Sequence, residues 1–338
     1  MKTFIIAEAG VNHNGSIEIA KKLIDAAVDA RADAVKFQTF KTELLISSHA
    51  KKSEYQKKST PKKESLYVML KRLELSFEQH KGLNAYAKEK GIIFLSTPFD
   101  NESVDLLNKL RIPLFKISSG DITNLPFLKY IAKKNKPIIL STGRSTIKEV
   151  REAVNTISRA GNGQITLLHC VSNYPASYKD LNLRAIQTLK KSFKIPVGFS
   201  DHSLGIEASI AAVAMGASVI EKHITLDRNM KGPDHKASLE PHELKALVSA
   251  VRNVESAIGH GLKEPAKSEL KDIKKVRKGL FSRVYIPKGS KLKQEMLVIK
   301  RPAAGVEPKH LNKIIGRTVL RNIKEDSPIK WEMIGGSK

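Results

Sequence analysis

Cysteine, tryptophan and long apolar runs are scarce in this chain of 338 residues. It has one cysteine, Cys170, and one tryptophan. A single cysteine excludes an internal disulfide and fits a reducing compartment, so we expect a cytoplasmic protein. No apolar run approaches the roughly 18 residues that a membrane helix needs, and the N-terminal FIIA run is too short for the core of a signal peptide. The sequence therefore predicts no membrane span.

Acidic residues are also few, because 34 Asp and Glu face 59 Lys and Arg and leave a net charge of +25. Such an excess is compatible with nucleic acid, an anionic membrane or an anionic substrate. The two most basic stretches, 51–63 and 263–278, mix lysines with acids and contain no ladder of aromatic residues. We therefore favour a solvated surface and expect neither nucleic acid nor a membrane as partner.

The first 258 residues alternate short apolar runs with amphipathic helical patterns. Eight such β/α units in about 250 residues predict a TIM (β/α)8 barrel, an α/β fold. A doubly wound sheet is the competitor, but it needs a glycine-rich turn after its first strand, and here that turn reads EAGVNHNGS. The strands are expected at 4–8, 34–39, 92–97, 114–119, 137–142, 165–170, 196–200 and 218–223.

The composition changes after the barrel, which we place at residues 1–258. Residues 259–278 are charged and indicate a linker, and residues 279–338 show short strands and turns typical of a small β-rich domain. About sixty residues form only a marginal core alone, so we expect this domain to pack on the barrel or on another subunit. Between residues 40 and 77 a long polar insertion follows the second strand, where barrel enzymes carry lids and binding loops.

Polar side chains follow or end every predicted strand, at the face where barrel enzymes carry out their chemistry. Two strand lysines, Lys36 and Lys116, lie near hydroxyl side chains and predict a pocket for a phosphate or carboxylate. A lysine pairing with a buried acid such as Glu8, or a Schiff-base lysine, remains an alternative. The further strand-end candidates are Gln38, Thr97, Ser119, Asp121, Tyr174 and Ser200.

Two histidines, His202 and His223, end neighbouring strands and predict an open site for a divalent metal. Their spacing equals one β/α unit, and a structural role for each is the alternative. Asp234 follows a Gly-Pro turn after the last strand. Such an aspartate either accepts local backbone hydrogen bonds or binds the hydroxyls of a sugar, and the sequence leaves both open.

Taken together, these segments resemble the sialic acid synthases along nearly the whole chain. The resemblance rests on IIAEAGVNHNGS, AVKFQTFK, FLSTPFD, FKISSGD, IILSTG, LLHCVSNYP, VGFSDHS, VIEKHITLD, GPDHKASLEP and IKRP. It implies a TIM barrel with a C-terminal antifreeze-like (SAF) domain. It further implies a homodimer in which the small domain of one subunit closes the active site of the other.

The resemblance also implies roles for individual residues. His202 and His223 would hold Mn²⁺ or Mg²⁺, Glu8 would be the catalytic acid, and Arg301 of the partner chain would reach the N-acyl group of the sugar. Phosphoenolpyruvate would be bound by Lys36, Thr97, Lys116, Ser119 and Ser200, and the amino sugar by Gln38, Asp121, Tyr174 and Asp234. Two positions depart from the family, Asp121 where many members have Glu and Ser172 where some have a phosphoenolpyruvate-binding Asn.

The resemblance leads us to expect an N-acetylneuraminate synthase, which condenses phosphoenolpyruvate with N-acetylmannosamine and releases phosphate. The alternative is a synthase of N,N'-diacetyllegionaminate, which would use 2,4-diacetamido-2,4,6-trideoxymannose. A basic nucleic-acid-binding protein is a remote alternative. The sugar contacts of the insertion, residues 42–65, cannot be assigned from the sequence.

Overall fold

The computed structural model describes residues 2–61 and 63–336, and the chain divides into two compact units, Met1–Gly259 and His260–Lys338. The residues expected as a linker, 259–278, fall almost entirely in the second unit. None of the helices in the described residues is long and apolar enough to cross a membrane.

Eight parallel strands form the centre of the first unit, and the expected α/β barrel is confirmed. Their hydrogen-bonded order is β3-β2-β1-β8-β7-β6-β5-β4, and β3 lies against β4, so the sheet curls into a nearly closed barrel. The strands are β1 (Phe4–Gly10), β2 (Ala34–Thr39), β3 (Ile93–Pro98), β4 (Phe115–Ile117), β5 (Ile138–Ser141), β6 (Ile165–Cys170), β7 (Val197–Asp201) and β8 (Val219–His223).

Amphipathic helices surround this barrel. In the first helix, Ser16 caps the N-terminus by accepting a hydrogen bond from the Ile19 amide, and Leu23 and Ile24 lie on its buried face. The helices outside the insertion are α1 (Ile17–Asp29), α5 (Phe77–Glu89), α6 (Asn101–Lys109), α7 (Leu125–Ala132), α8 (Ile147–Arg159), α9 (Ala185–Phe193), α10 (Glu207–Ala214) and α11 (Pro241–Ile258). Short 3-10 helices occupy Ser119–Asp121, Tyr178–Asp180 and His235–Ala237.

The insertion after β2 folds into three short helices rather than a bare loop. They are α2 (Thr42–Leu45), α3 (Glu54–Ser59) and α4 (Leu66–Leu73). Met69 and Leu73 of α4 are fully buried with Val11 and Phe40, which gives the insertion a small apolar core of its own. The insertion is therefore a structured cover, and residues 54–59 form a discrete helix within it.

The second unit contains little regular sheet. Its two antiparallel strands are β9 (Gly279–Ser282) and β10 (Leu297–Lys300), and isolated bridges such as Ile286–Ile323 and Val319–Ile334 extend the β-type pairing. A small core includes Leu280, Leu292 and Ile329. The remaining elements are α12 (Lys267–Leu270), α13 (Ile273–Val276), α14 (Leu311–Ile314) and 3-10 helices at Gln294–Met296, Pro308–His310 and Trp331–Met333.

Candidate active site

The interior of the barrel is built in layers, because every second residue of a strand faces inward. A lower layer is apolar and includes Ile6, Leu95 and Leu168. Two residues further along each strand, the inward side chain becomes polar, so Ile6 is followed by Glu8. The cavity above the apolar layer is lined by Glu8, Lys36, Gln38, Thr97, Phe99, Lys116, Ser118, Ser119, Ser141, Cys170, Tyr174, Ser200, His202, Glu221 and His223.

Two lysines and two glutamates form a buried ionic cluster in this cavity. Lys36 Nζ lies 2.6 Å from Glu8 Oε2 and 3.6 Å from Glu221 Oε2. Lys116 Nζ lies 3.1 Å from Glu221 Oε1. All four residues are almost completely buried. Burying a single charge costs several kcal/mol, so each of these four groups depends on its oppositely charged neighbours. The two lysines thereby place positive charge in the cavity, where an anion can bind.

The pKa values of the two carboxyl groups in this cluster are shifted in opposite directions. Burial raises the pKa of Glu8 to about 7, although Lys36 opposes this shift. Burial also acts on Glu221, but Lys116 and Lys36 outweigh it and hold the pKa of Glu221 well below its usual range. Two neighbouring carboxyl groups with opposite pKa shifts are typical of catalytic sites.

Hydroxyl groups complete the anion pocket. Lys36 Nζ donates to Thr97 Oγ1 over 2.8 Å, and Ser200 Oγ donates to Glu221 Oε1 over 2.8 Å. Ser141 Oγ is buried and has no hydrogen-bond partner among the described residues. An unsatisfied buried hydroxyl is costly, so this group is suited to a ligand.

A glycine opens the far wall of the pocket. A side chain at Gly143 would come within 2.3 Å of Ser172 Oγ and 3.2 Å of Ser119 Oγ. Those two serine oxygens lie 3.1 Å apart. The absence of a side chain at Gly143 therefore leaves room for the hydroxyls of Ser119 and Ser172 to meet.

His202 and His223 face each other above the ionic cluster, with ring centroids 5.6 Å apart. His202 Nδ1 donates a hydrogen bond to the Val171 carbonyl oxygen over 2.8 Å, which leaves the lone pair of Nε2 free to bind a metal ion. Burial lowers the pKa of His202 to about 4 and holds that of His223 well below its usual range, so both rings are neutral at physiological pH.

These two imidazoles fit a divalent metal as a pair of nitrogen ligands. Buried His223 Nδ1 has no hydrogen-bond partner within residues 2–61 and 63–336. No group of three or more His, Cys, Asp or Glu side chains in those residues could hold a metal ion. His202 and His223 would therefore supply two ligands, and substrate oxygens or water would supply the others.

Comparison with known protein families gives two matches, one in each of the two units of the chain for most of its length. Residues 23–263 match the NeuB family, and residues 277–335 match the SAF domain. The chain belongs to the NeuB family. It is an enzyme, and its relatives identify it as a nonulosonic acid synthase.

Curated relatives align with this NeuB protein over nearly its full length. N,N'-diacetyllegionaminic acid synthase of Campylobacter jejuni is 53% identical over 97% of this chain and 99% of its own. The synthase of the same name from Legionella pneumophila is 46% identical over 99% and 95%. Human N-acetylneuraminate-9-phosphate synthase is 40% identical over 98% and 92%.

A solved structure agrees with the fold of this NeuB protein. The N-acetylneuraminic acid synthetase of Leptospira borgpetersenii superposes with a TM-score of 0.73 at 38% identity. The match covers 81% of this chain and 90% of that one.

The structure brings most of the predicted site residues of this NeuB protein into one cavity. Ser172 adjoins the cavity through its contact with Ser119. Asp234 is buried near Tyr174, and its charge contributes to a raised pKa of that tyrosine after burial itself. Ten predicted residues line the cavity directly: Glu8, Lys36, Gln38, Thr97, Lys116, Ser119, Tyr174, Ser200, His202 and His223.

Two further predicted residues are not among those that line the cavity. Asp121 follows Ser119 in a 3-10 turn but does not line the cavity, and burial raises its pKa to about 6. Arg301 is exposed in the second unit, directly after β10. Their roles toward a substrate stay predictions.

Two important cavity residues of this NeuB protein were not assigned from the sequence. Glu221 lies two positions before His223 on β8, and Ser141 ends β5. The signal that would have found them is the inward alternation of each strand, since Glu221 and His223 must share one face. Tyr55 of the insertion is a third residue near the site that the sequence analysis does not assign, and its ring stacks on Tyr174.

Proposed function

We propose that this protein is an N,N'-diacetyllegionaminate synthase. The expected main activity, N-acetylneuraminate synthesis, is less well supported than its alternative. The relatives named for the legionaminate activity are 53% and 46% identical, whereas the human N-acetylneuraminate-9-phosphate synthase is 40% identical. The proposed reaction condenses phosphoenolpyruvate with 2,4-diacetamido-2,4,6-trideoxymannose and releases phosphate.

The buried Lys36–Glu8–Glu221–Lys116 cluster is the observation that carries the phosphoenolpyruvate-dependent part of this proposal, because it supplies positive charge for that substrate. The two lysines provide positive charge for the phosphate and carboxylate groups, and Thr97, Ser119, Ser141 and Ser200 provide hydroxyls. Fixing the substrate in this way orients its methylene carbon, and such positioning lowers a barrier by several kcal/mol.

In the proposed reaction, the methylene carbon of phosphoenolpyruvate forms a bond to the aldehyde carbon of the open-chain sugar. The aldehyde oxygen takes up a proton and becomes a hydroxyl. Water adds to the resulting cation at the second carbon of the former phosphoenolpyruvate, and the tetrahedral intermediate expels phosphate to leave a 2-keto acid. The ionised form of Glu8 is suited to stabilising that cation.

His202 and His223 would hold Mn²⁺ or Mg²⁺ at this site. A divalent ion there supplies Lewis-acid polarisation of a carbonyl oxygen. We expect chelation to abolish activity and Mn²⁺ or Mg²⁺ to restore it. The His202→Ala variant should lose metal affinity in direct titration while its circular dichroism stays unchanged, because strand-end residues contribute little to the apolar core. Full activity of this variant in chelator would refute the assignment.

Phosphate release tests the proposed substrates directly. The purified protein is incubated with phosphoenolpyruvate and either the diacetamido sugar, N-acetylmannosamine or no sugar. We expect sugar-dependent release that is fastest with the diacetamido sugar. Faster turnover of N-acetylmannosamine would favour N-acetylneuraminate synthesis instead, and no release with either sugar would reject both activities.

A borohydride experiment separates this reaction from Schiff-base aldol chemistry. Neither Lys36 nor Lys116 needs to form a covalent adduct in the proposed mechanism, since both already serve as charges paired with Glu8 and Glu221. Borohydride added during turnover should therefore leave both lysines unmodified in mass spectrometry. A stoichiometric adduct on either one would overturn their proposed roles.

We also propose a homodimeric assembly in the cytoplasm, with the small domain of each subunit at the active site of its partner. The single free cysteine, Cys170, is compatible with a reducing compartment. The exposed position of Arg301 in the second unit is compatible with a contact to another chain.

A further inference from the structure

An aromatic column covers the histidine side of the cavity. The Tyr55 ring, carried by α3 of the insertion, stacks on the Tyr174 ring with centroids 5.2 Å apart and an interplanar angle of 27°. The Tyr174 ring in turn lies 4.3 Å from His202 and 5.6 Å from His223. Tyr55 is therefore linked to the proposed metal ligands through Tyr174, by a stacked contact followed by a tilted contact to His202 and an edge-on contact to His223.

Hydrogen bonds and an ion pair hold the segment that carries Tyr55. Lys52 Nζ donates to Thr60 Oγ1 over 2.9 Å and pairs with Glu64 over 3.1 Å, so the two sides of α3 are joined. On the barrel side, Ser59 Oγ donates to the carbonyl oxygen of Pro233 over 3.4 Å. Pro233 directly precedes Asp234, so α3 is tied to the loop that carries this buried carboxyl group.

Tyr55 and Asp234 also interact electrostatically. Burial raises the pKa of Tyr55 above its usual range, and the nearby Asp234 raises it further. The Tyr55 hydroxyl therefore keeps its proton at physiological pH and remains a hydrogen-bond donor. The Tyr174 hydroxyl is protonated for the same reasons.

The cavity beneath this column is too small for the substrates. Its volume is about 60 Å³, whereas sites for small organic ligands measure roughly 300–1,000 Å³. Tyr174 is part of the cavity wall, and the Tyr55 ring stacks on Tyr174 from outside the set of lining residues. The sugar therefore needs room beyond this cavity, and on the Tyr174 side that room adjoins the Tyr55 ring.

We propose that Tyr55 is a specificity-determining residue for the sugar, and that its ring favours a 2,4-diacetamido-2,4,6-trideoxy sugar over N-acetylmannosamine. This inference rests on the proposed function. The deoxy carbon and the second acetamido methyl give the former sugar more apolar surface to pack on an aromatic face. The Tyr55 hydroxyl donates to an acetamido carbonyl oxygen. The hydroxyls of N-acetylmannosamine at the same positions lose hydration against the ring.

Steady-state kinetics of Tyr55 variants test this role. For each protein, kcat/KM is measured with both sugars at saturating phosphoenolpyruvate, and the ratio of the two values gives the preference. We expect Tyr55→Leu and Tyr55→Ala to reduce the preference for the diacetamido sugar by roughly tenfold, mainly through KM for that sugar. Tyr55→Phe keeps the ring and should retain most of the preference. KM for phosphoenolpyruvate should not change in any variant.

Tyr67→Leu is the matched control, because Tyr67 lies on α4 of the same insertion. It should leave the preference unchanged. An unchanged preference in Tyr55→Leu and Tyr55→Ala would overturn the role of Tyr55 while leaving the proposed function intact. An equal loss in the Tyr67→Leu control would likewise overturn it, since the effect would then belong to the insertion as a whole. Absence of turnover by the unmodified protein with both sugars would instead reject the proposed function and this inference together.

Discussion

At the scale of single residues, Glu8 is the clearest case of a side chain whose chemistry is set by its surroundings. Burial raises its pKa to about 7 in spite of Lys36. If the ionised form is the active one, kcat/KM for phosphoenolpyruvate should rise as the pH increases through about 7. Glu8→Gln should remove this rise of kcat/KM with pH. It should also lower kcat by roughly 10²–10⁴-fold, the usual contribution of such a group. A pH–rate profile of both proteins checks this.

The control for the Glu8 experiment is Glu152→Gln, because Glu152 is exposed on α8 and lies outside the ionic cluster. Its pH profile should match that of the unmodified protein. A Glu8→Gln variant that keeps the rise near pH 7 would contradict the assignment.

At Asp234, a charged carboxylate is expected to support sugar binding but to lower the stability of the folded protein. Burial raises its pKa to about 6, so the folded state prefers the protonated acid. Stability from this group is therefore present below the ordinary pKa of 3.8 and is lost as the pH rises through about 6. Asp234→Asn should raise the free energy of unfolding at pH 8 by about 3 kcal/mol, and by less at pH 5. Denaturant unfolding at both pH values measures the difference.

The neighbouring tyrosines Tyr55 and Tyr174 stay neutral throughout this pH range, so they do not obscure the Asp234 effect. We expect the same substitution to weaken sugar binding. An Asp234→Asn variant with lower stability at pH 8 would show that the carboxylate makes a favourable contact in the folded protein.

Single site residues can be predicted from the sequence most completely when the alternation of inward and outward side chains along each strand is taken into account. The lysines and histidines were found because charged or imidazole side chains at strand ends are conspicuous. Glu221 and Ser141 were missed, although alternation along β8 and β5 places them in the cavity. Tyr55 could not be placed, because its contact with Tyr174 joins segments over a hundred residues apart and no local pattern encodes it.

At the scale of secondary-structure elements, β7 and β8 are joined behind the histidines by a buried ion pair. Lys222 Nζ lies 2.9 Å from Asp201 Oδ2 and also donates to the Ser203 carbonyl oxygen. Asp201 and Lys222 are completely buried and adjoin His202 and His223 in sequence. Lys222→Met would leave a buried carboxylate unpaired, so we expect a loss of about 3–5 kcal/mol in the free energy of unfolding.

Chemical denaturation followed by circular dichroism measures this loss. The double variant Asp201→Asn/Lys222→Met should be more stable than Lys222→Met, because the uncompensated charge is gone. Lys245→Met, at an exposed position of α11, is the control and should change stability by less than about 0.5 kcal/mol. A small effect of Lys222→Met, equal to that of the control, would contradict the structural role of the pair.

The elements of the barrel were predictable because buried parallel strands are short apolar runs and the intervening helices have one apolar face. The insertion was harder. Its helices are short and rich in lysine, and their caps at Ser53 and Ser65 are the main local signals. The second unit was expected to be β-rich, but most of its pairing consists of isolated bridges that a periodic pattern does not reveal.

At the scale of the whole molecule, the two units pose the question of how many chains build one active site. Arg301 lies in the second unit after β10, followed by Pro302 and by Gly305, which adopts a left-handed backbone conformation with φ of +69°. The chain thus turns directly after an exposed arginine, whose planar fork can bind a carbonyl oxygen through two donors. We expect Arg301 to act in the active site of a partner subunit, opposite that subunit's own pair of histidines.

Mixed dimers test this expectation. Arg301→Ala and His202→Ala should each be nearly inactive, and the two variants are unfolded, mixed in equal amounts and refolded together. Under a shared-site arrangement, a hybrid dimer contains one site with both residues intact and one with neither. About half of the refolded dimers are hybrids, so roughly a quarter of the unmodified activity should return. Each variant refolded alone controls for recovery during refolding. A purification tag on one variant shows whether hybrid dimers form. If they form and activity stays at the level of the parents, both residues serve the site of the same chain, and the exchanged arrangement is wrong.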